Sequence, residues 1–231
     1  MSQLALLLLA KGLYLDAEPL MRRALQIDEE SLGPHHPKIA IRLNNLAQLL
    51  QDTNRVAEAE PLMRRALEIG EDSSGPHHSN ITIRLNNLAQ LLQDTGRLAE
   101  AEPLMRRVLQ IDEDSLGPQD PNVARDLNNL AQLLRATDRL AEAEPLMQRA
   151  LQINADSFGL HHPATATSLN NLAILLWDTN RFEEAEPLMR RSFEIFEQSL
   201  GADHPDTQTV RRNLAALLQE IASRTESEPS E

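Results

Sequence analysis

The chain has 231 residues, of which 41% are hydrophobic, 25% are charged and only 3% are aromatic, which argues against a single large sheet with an aromatic core. The net charge of −13 has the wrong sign for neutralising phosphates, so a nucleic acid is an unfavourable partner. There is no cysteine, which excludes disulfides, thiolate zinc sites and thiol catalysis and fits a reducing compartment. The longest apolar run, residues 4–10, is too short to span a bilayer, and we expect a soluble, cytoplasmic chain with no membrane contact.

An internal repeat organises the sequence. The string LNNLA begins at Leu43, Leu85, Leu127 and Leu169, and every step is 42 residues. The string AEPL recurs with the same step, beginning at Ala17, Ala59, Ala101, Ala143 and Ala185. A fixed period of this length, with no insertion or deletion, is typical of a solenoid built from stacked repeats.

Each repeat contains two predicted amphipathic helices. The apolar residues of the first are Leu43, Leu46, Ala47 and Leu50, and those of the second are Ala59, Leu62, Met63 and Ala66, both with helical spacing. The first helix is predicted to begin at Pro37, a position where a missing N–H costs nothing. Residues 52–55 separate the two helices, and the second helix is predicted to end near residues 75–76.

These positions carry a family resemblance. Counted from Leu43, the small and apolar positions of a tetratricopeptide repeat coincide with those of the two helices, although leucine replaces the usual aromatic residues at Leu43 and Leu50. The 42-residue unit, with LNNLA, EAEPL and a GPHHP connection, closely resembles the repeats of kinesin light chains and of similar bacterial proteins. The resemblance implies an all-α, right-handed superhelical solenoid of antiparallel helix pairs that binds other proteins.

The repeats define the expected domain organisation. We predict one solenoid over residues 1–222: a truncated repeat at about 1–36, full repeats at 37–78, 79–120, 121–162 and 163–204, and a capping helix at 205–222. The polar residues 223–231 are predicted to form a disordered tail. The leucine-rich first segment lacks a polar outer face, which indicates either a fragment of a longer array or an end that pairs with another copy.

Residues that could support catalysis or metal binding have simpler interpretations. The seven histidines lie in the loops between repeats, and histidines from successive loops should be too far apart to share a metal ion, so we interpret them as loop and N-cap residues. The glutamates and arginines of the second helices, such as Glu60 and Arg64, have the i, i+4 spacing of solvated ion pairs. No phosphate-binding, nucleophile-elbow or HExxH motif is present, and we expect no enzyme activity, no metal and no cofactor.

A polar stripe on the first helices is the most informative candidate site. Tetratricopeptide repeats line their concave groove with first helices, so the resemblance implies that the side chains opposite the buried positions face a ligand. Amides there could pair with the backbone of an extended peptide through both a donor and an acceptor. The alternative is that the asparagines bond to neighbouring helices. The predicted peptide-binding residues are Asn45, Gln48, Asn87, Gln90, Arg125, Asn129, Gln132, Asn171, Ile174 and Trp177.

One repeat departs from this pattern. Ile174 replaces the glutamine of the earlier repeats, and Trp177 is the only tryptophan in the chain. Tryptophan is favoured as a binding anchor. However, Phe182, Phe193 and Phe196 follow in the same repeat, so packing beside the capping helix explains Trp177 equally well.

The sequence therefore favours a scaffold that binds an extended peptide of a protein partner, and the acidic residues near the groove lean towards neutral or basic peptides. The main alternative is a self-assembling structural solenoid that associates through its N-terminal end. A weaker alternative is a regulatory fragment of a larger signalling protein.

Overall fold

The computed structural model describes residues 7, 8, 11–75 and 78–227. These residues form ten α-helices and one short 3-10 helix, with no β-strand in the described part. The first helices of the repeats are α2 (Pro37–Asp52), α4 (Thr82–Asp94), α6 (Pro121–Ala136), α8 (Pro163–Asp178) and α10 (Pro205–Ser227). The second helices are α1 (Tyr14–Leu32), α3 (Val56–Ser74), α5 (Leu98–Leu116), α7 (Leu140–Phe158) and α9 (Phe182–Leu200). The 3-10 helix, Ser79–Ile81, precedes α4.

The predicted helix ends agree with the structure because the end signals are local. The Nδ1 atom of His36 accepts a hydrogen bond from the backbone N–H of Lys38, which caps the N-terminus of α2 at Pro37. At the far end of the pair, Gly75 follows α3 with φ of +89°, a conformation that other residues rarely adopt.

The chain divides into two compact units, Met1–Ser115 and Leu116–Glu231. In the first unit, Ile39 and Leu43 of α2 and Ile69 of α3 form one buried cluster, against which Leu25 of α1 packs. A second cluster contains Ile81, Leu85, Val108 and Ile111, with Leu67 of α3 packed against it. A first helix therefore packs on its own second helix and on that of the preceding repeat, which is how one pair completes the core of the next.

The second unit repeats this arrangement. Helix α8 packs against α7 and α9, and α10 packs against α9. The all-α class, built from consecutive helix pairs, is confirmed. The prediction of one continuous solenoid over residues 1–222 depends on the junction between the units and stays a prediction.

The last helix is longer than the sequence predicted. We expected a disordered tail from residue 223, but α10 continues to Ser227. Arg224 explains the extra turn, because its guanidinium lies 4.4 Å from the ring centroid of Phe182, donates to Asn180 and pairs with Glu220 one turn earlier. Residues 228–231 lie outside the described residues.

The leucine-rich first segment also lies mostly outside the described residues, since only Leu7 and Leu8 of residues 1–10 are included. Within the described part of the chain, none of the helices combines the length and the apolar character needed to cross a bilayer.

Candidate peptide-binding face

A pocket in the second unit lies between the first helices α6 and α8, with part of its wall from α7. Its volume is about 370 Å³. Its polar lining consists of amides, one hydroxyl and one guanidinium, and its apolar lining includes the ring of Phe158. The lining residues are Pro121, Asn122, Arg125, Asn128, Asn129, Gln132, Asn154, Phe158, Ala164, Thr167 and Asn171. Four of the predicted binding residues, Arg125, Asn129, Gln132 and Asn171, thus lie around one pocket.

Two amide atoms in the wall of this pocket have no hydrogen-bond partner. These are the Oδ1 atom of Asn128 and the Nδ2 atom of Asn171, both buried. Asn128 is only 7% exposed. A buried amide acceptor and a buried amide donor without partners are each costly.

The equivalent amides elsewhere are bonded to each other. In the first unit, the Nδ2 atom of Asn87 donates to Oδ1 of Asn44 at 3.0 Å. In the second unit, Asn213 of α10 donates in the same way to Asn170 of α8 at 3.2 Å. We call this hydrogen bond an amide rung. Its donor stands at the second asparagine position of one LNNLA segment, and its acceptor is the first asparagine of the preceding segment.

The missing rung between Asn171 and Asn128 coincides with a local change in hydrogen bonding. The Nδ2 atom of Asn128 donates to the hydroxyl of Ser168 at 3.2 Å, and Asn154 of α7 donates to the same hydroxyl at 2.9 Å. The Ser168 hydroxyl is therefore the common acceptor of Asn128 and Asn154. Asn128, Asn154 and Ser168 were not among the predicted site residues. The signal that identifies the last two is a departure from the repeat, since Gly70 and Arg84 stand 84 residues before Asn154 and Ser168.

The first unit has a smaller pocket at the corresponding place between α2 and α4. Its volume is about 190 Å³, and it is lined by Ile41, Asn44, Asn45, Asn80, Ile83 and Arg84. The predicted residue Asn45 lies here. Asn87 is half-buried, and one of its two amide hydrogens bonds to Asn44, which is the alternative role considered for these asparagines.

The predicted glutamines of the first unit are exposed and bonded within their own helices. Gln48 donates to Asp52 at 3.1 Å, and Gln90 donates to Asp94 at 2.8 Å. Asp94 also accepts from Gln51 of the preceding first helix at 2.9 Å. In the second unit, Asp178 of α8 is paired in the same way with Arg135 of α6. The acidic groups near this face are therefore partly occupied by the protein's own donors.

The last two predicted residues lie on α8. Ile174, together with Gln132 and Asn171, lines a cavity of about 140 Å³ in the second unit. Trp177 is half-buried and lines none of these three pockets. Its role as a ligand anchor stays a prediction.

The ion pairs of the second helices are more extended than the sequence indicated. The expected i, i+4 pair of Glu60 and Arg64 is present at 2.8 Å. Glu60 also pairs at 2.7 Å with Arg97, the residue just before the next second helix, and Arg97 pairs with Glu100. The hydrogen bond from Arg97 is the main reason that the pKa of Glu60 lies below its usual range. These arginines are therefore neutralised by carboxylates of the chain.

Four of the histidines between the repeats cap the start of a helix. The Nδ1 atoms of His78, His162 and His204 accept hydrogen bonds from the backbone N–H groups two residues later, as that of His36 does. In the second unit, Asp120 does the same for α6. No group of three or more histidine or carboxylate side chains in the described part of the chain is arranged to hold a metal ion.

Comparison with known families identifies the class of protein. The profile of the tetratricopeptide repeat family matches residues 1–72, 81–154, 126–198 and 176–227. The chain belongs to the tetratricopeptide repeat family. A comparison with curated proteins finds no match.

Several solved structures of kinesin light chain-like proteins have the same fold. One is a Podosopora anserina protein described as a kinesin light chain with nearly identical TPR-like repeats, at 23% identity, a TM-score of 0.76, and coverage of 86% of this chain and 94% of that one. A single-substitution variant of that protein gives 22% identity, a TM-score of 0.77, and coverage of 85% and 93%. BtubC (BKLC) from P. vanneervenii gives 22% identity, a TM-score of 0.72, and coverage of 91% and 82%. The fold is that of kinesin light chain-like repeats.

Proposed function

We propose that this protein is a non-catalytic interaction scaffold whose first helices bind an extended segment of a protein partner. The observation that carries the proposal is the pair of unpartnered amide atoms, Asn128 Oδ1 and Asn171 Nδ2, in the wall of the pocket between α6 and α8. Because both atoms are buried, a peptide group that donates to the first and accepts from the second reaches them only when the two side chains turn toward the pocket. Membership of the tetratricopeptide repeat family supports the general role of protein binding.

The composition of the pocket suits peptide recognition better than proton transfer. Amides and a guanidinium supply hydrogen-bond donors of fixed geometry, and the exposed ring of Phe158 supplies an apolar surface for one side chain of the bound segment. We place the protein in the cytoplasm, which agrees with the lack of cysteine.

Site-specific crosslinking tests the location of the partner. Thr167 lines the pocket, whereas Gln152 of α7 is exposed and is not among the lining residues. A photo-crosslinking amino acid at position 167 is expected to capture an extended segment from a displayed peptide library, and the same group at position 152 serves as the control. Equal capture at both positions would remove the support for this face.

Substitution of the two unpartnered amides tests the mechanism. Asn128→Ala with Asn171→Ala is expected to abolish capture at position 167 while the helical circular dichroism is retained. Gln152→Ala is the matched control, since it removes an amide outside the pocket. If the double variant captures the same peptides with the same yield, the amides do not recognise the ligand.

Self-association remains the second candidate, and an exposed apolar surface favours it. Leu15 is 86% exposed at the start of α1, and Leu13 beside it is also exposed. Light scattering over a range of protein concentrations separates the two functions. A mass that rises with concentration, and no longer rises in Leu13→Gln with Leu15→Gln, would favour self-assembly, whereas a constant monomer mass favours the scaffold.

A further inference from the structure

A missing carboxylate distinguishes the two repeats of the first unit. Asp28 of α1 accepts from Arg42 of α2 at 2.7 Å and from Lys38 at 3.0 Å. Forty-two residues later the arginine is kept as Arg84, but Gly70 stands where Asp28 would be. The place is the same in space, because a Cβ atom added to Gly70 would lie 3.3 Å from Nη1 of Arg84. Arg84 has therefore lost the internal partner that Arg42 keeps.

Nothing else in the described part of the chain replaces that partner. Nη1 of Arg84 donates to the backbone oxygen of Asn80 at 2.6 Å, which is a neutral acceptor. Its Nε atom is buried without a hydrogen bond, and no described carboxylate pairs with its guanidinium. Burial lowers the pKa of Arg84 from the ordinary arginine value, yet a guanidinium remains charged at neutral pH. A half-buried positive charge without a counter-charge is unfavourable.

The unpaired charge lies in the wall of the 190 Å³ pocket between α2 and α4. Ile41 and Ile83, both exposed, supply apolar walls, and Asn44 and Asn45 supply amides. This combination suits a short side chain with an apolar stem and an acidic end, because the stem contacts the isoleucines and the carboxylate reaches the guanidinium.

We propose that this pocket binds the side-chain carboxylate of an aspartate or glutamate in the partner segment, which supplies to Arg84 the counter-charge that Asp28 supplies to Arg42. The inference rests on the proposed function and makes it more specific. It also revises the expectation of neutral or basic ligands, because an acidic residue near the groove such as Asp94 is bonded to donors of the chain, whereas Arg84 lacks a carboxylate partner. The pocket in the second unit has Ser168 at the corresponding position and no such charge requirement.

A titration of the full chain followed by NMR tests the assignment directly. The probe is the peptide acetyl-Ala-Glu-Ala-amide, which carries only a side-chain carboxylate, and the reporter is the Nε–H resonance of Arg84. We expect a saturable shift at millimolar probe, and a shift at least about ten times smaller with acetyl-Ala-Gln-Ala-amide, because a charge-assisted hydrogen bond is replaced by a neutral one.

Substitution at Gly70 provides the decisive comparison. Gly70→Asp restores the internal carboxylate, and the added Cβ requires the Ile81 and Arg84 side chains to move by only a few tenths of an ångström. This variant is expected to fold and to lose the response to the glutamate probe, whereas Gly70→Ala keeps it. In the converse variant, Asp28→Gly, the Nε–H resonance of Arg42 is expected to gain a response.

Three results would overturn the proposal: equal shifts with the glutamate and glutamine probes, an undiminished response in Gly70→Asp, or a response only to acetyl-Ala-Gln-Ala with a free C-terminal carboxylate. Because the probe is a short peptide read out at Arg84, this result is separate from partner capture at Thr167. Failure of the carboxylate site and failure of the scaffold function are therefore distinguishable.

Discussion

Asn87 and Asn44, 43 residues apart in the chain, are joined by a hydrogen bond of 3.0 Å between the side chains of two successive first helices. The equivalent atoms of Asn171 and Asn128 have no partners. The same residue type at the same repeat position therefore has a structural bond in one unit and unused hydrogen-bonding groups in the other.

This difference predicts opposite responses to the same substitution. Asn87→Leu removes an amide rung and leaves Asn44 with an unsatisfied acceptor, so we expect a loss of about 1–3 kcal/mol in the free energy of unfolding. Asn171→Leu removes a donor that has no partner and is expected to be neutral or slightly stabilising. Urea denaturation of both variants checks the difference, and equal losses would show that both amides have the same structural role.

The N-caps of the first helices predict which substitutions a repeat tolerates. His36→Ala removes the acceptor for the Lys38 N–H and is expected to cost about 1 kcal/mol. His36→Asp is expected to retain the stability, because Asp120 caps α6 in the same way. Thermal denaturation of the two variants measures the effect, and a loss in the aspartate variant as large as that in the alanine variant would contradict the capping role.

The ion pair of Asp28 predicts an acid-dependent loss of stability. The hydrogen bond from Arg42 is the main reason that the pKa of Asp28 lies below its ordinary value of 3.8. Because the folded-state pKa is the lower one, the carboxylate stabilises the folded protein above about pH 4, and this contribution is lost as the pH falls through the folded-state value. Asp28→Asn should therefore show a shallower decrease in stability between about pH 5 and pH 2 than the wild type, measured by urea denaturation at each pH.

The core of the first unit predicts a large difference between two neighbouring residues of α2. Leu43 is fully buried in the cluster with Ile39 and Ile69, whereas Ile41 is exposed on the pocket side. Leu43→Ala is expected to cost about 2–5 kcal/mol, and Ile41→Ala less than about 1 kcal/mol. Urea denaturation distinguishes these values, and similar costs would mean that α2 has a different face in the core.

The end of α10 provides a prediction for local stability. Arg224 contacts the ring of Phe182 and bonds to Asn180, so Arg224→Ala is expected to unfold the last turn while the earlier turns of α10 remain. Amide hydrogen exchange should become faster after about residue 222 and stay unchanged near Leu214 and Leu217, which are buried. Exchange that is faster throughout α10 would show that Arg224 holds the whole helix.

The sequence predicted the helix pairs because the relevant signals are local and repeated. Pro37, the LNNLA apolar spacing and Gly75 determine where helices begin, which face is buried and where helices end. The residues around the main pocket were found in part for the same reason: Asn129 and Asn171 share a repeat position opposite the buried face.

The rest depends on contacts between repeats, which a periodic pattern does not show. Arg84 lacks a carboxylate partner because Gly70 stands on the facing helix, and Asn128 bonds to Ser168, which also accepts from Asn154. The final turn of α10 similarly depends on the distant Phe182. In each case one residue departs from the repeat, and its effect on the contacts can be predicted only when the residue that it faces is known.

The Asp28–Arg42 pair has one member in each of two adjacent repeats. A different neighbouring repeat therefore changes the chemistry where two repeats meet, without any change inside the repeat itself. An aspartate that faces the arginine neutralises its charge, and a glycine leaves the charge without a partner. With the proposed carboxylate site, we therefore expect that duplication, loss or exchange of whole 42-residue units changes the ligand specificity, while the packing positions that every unit shares keep the fold unchanged.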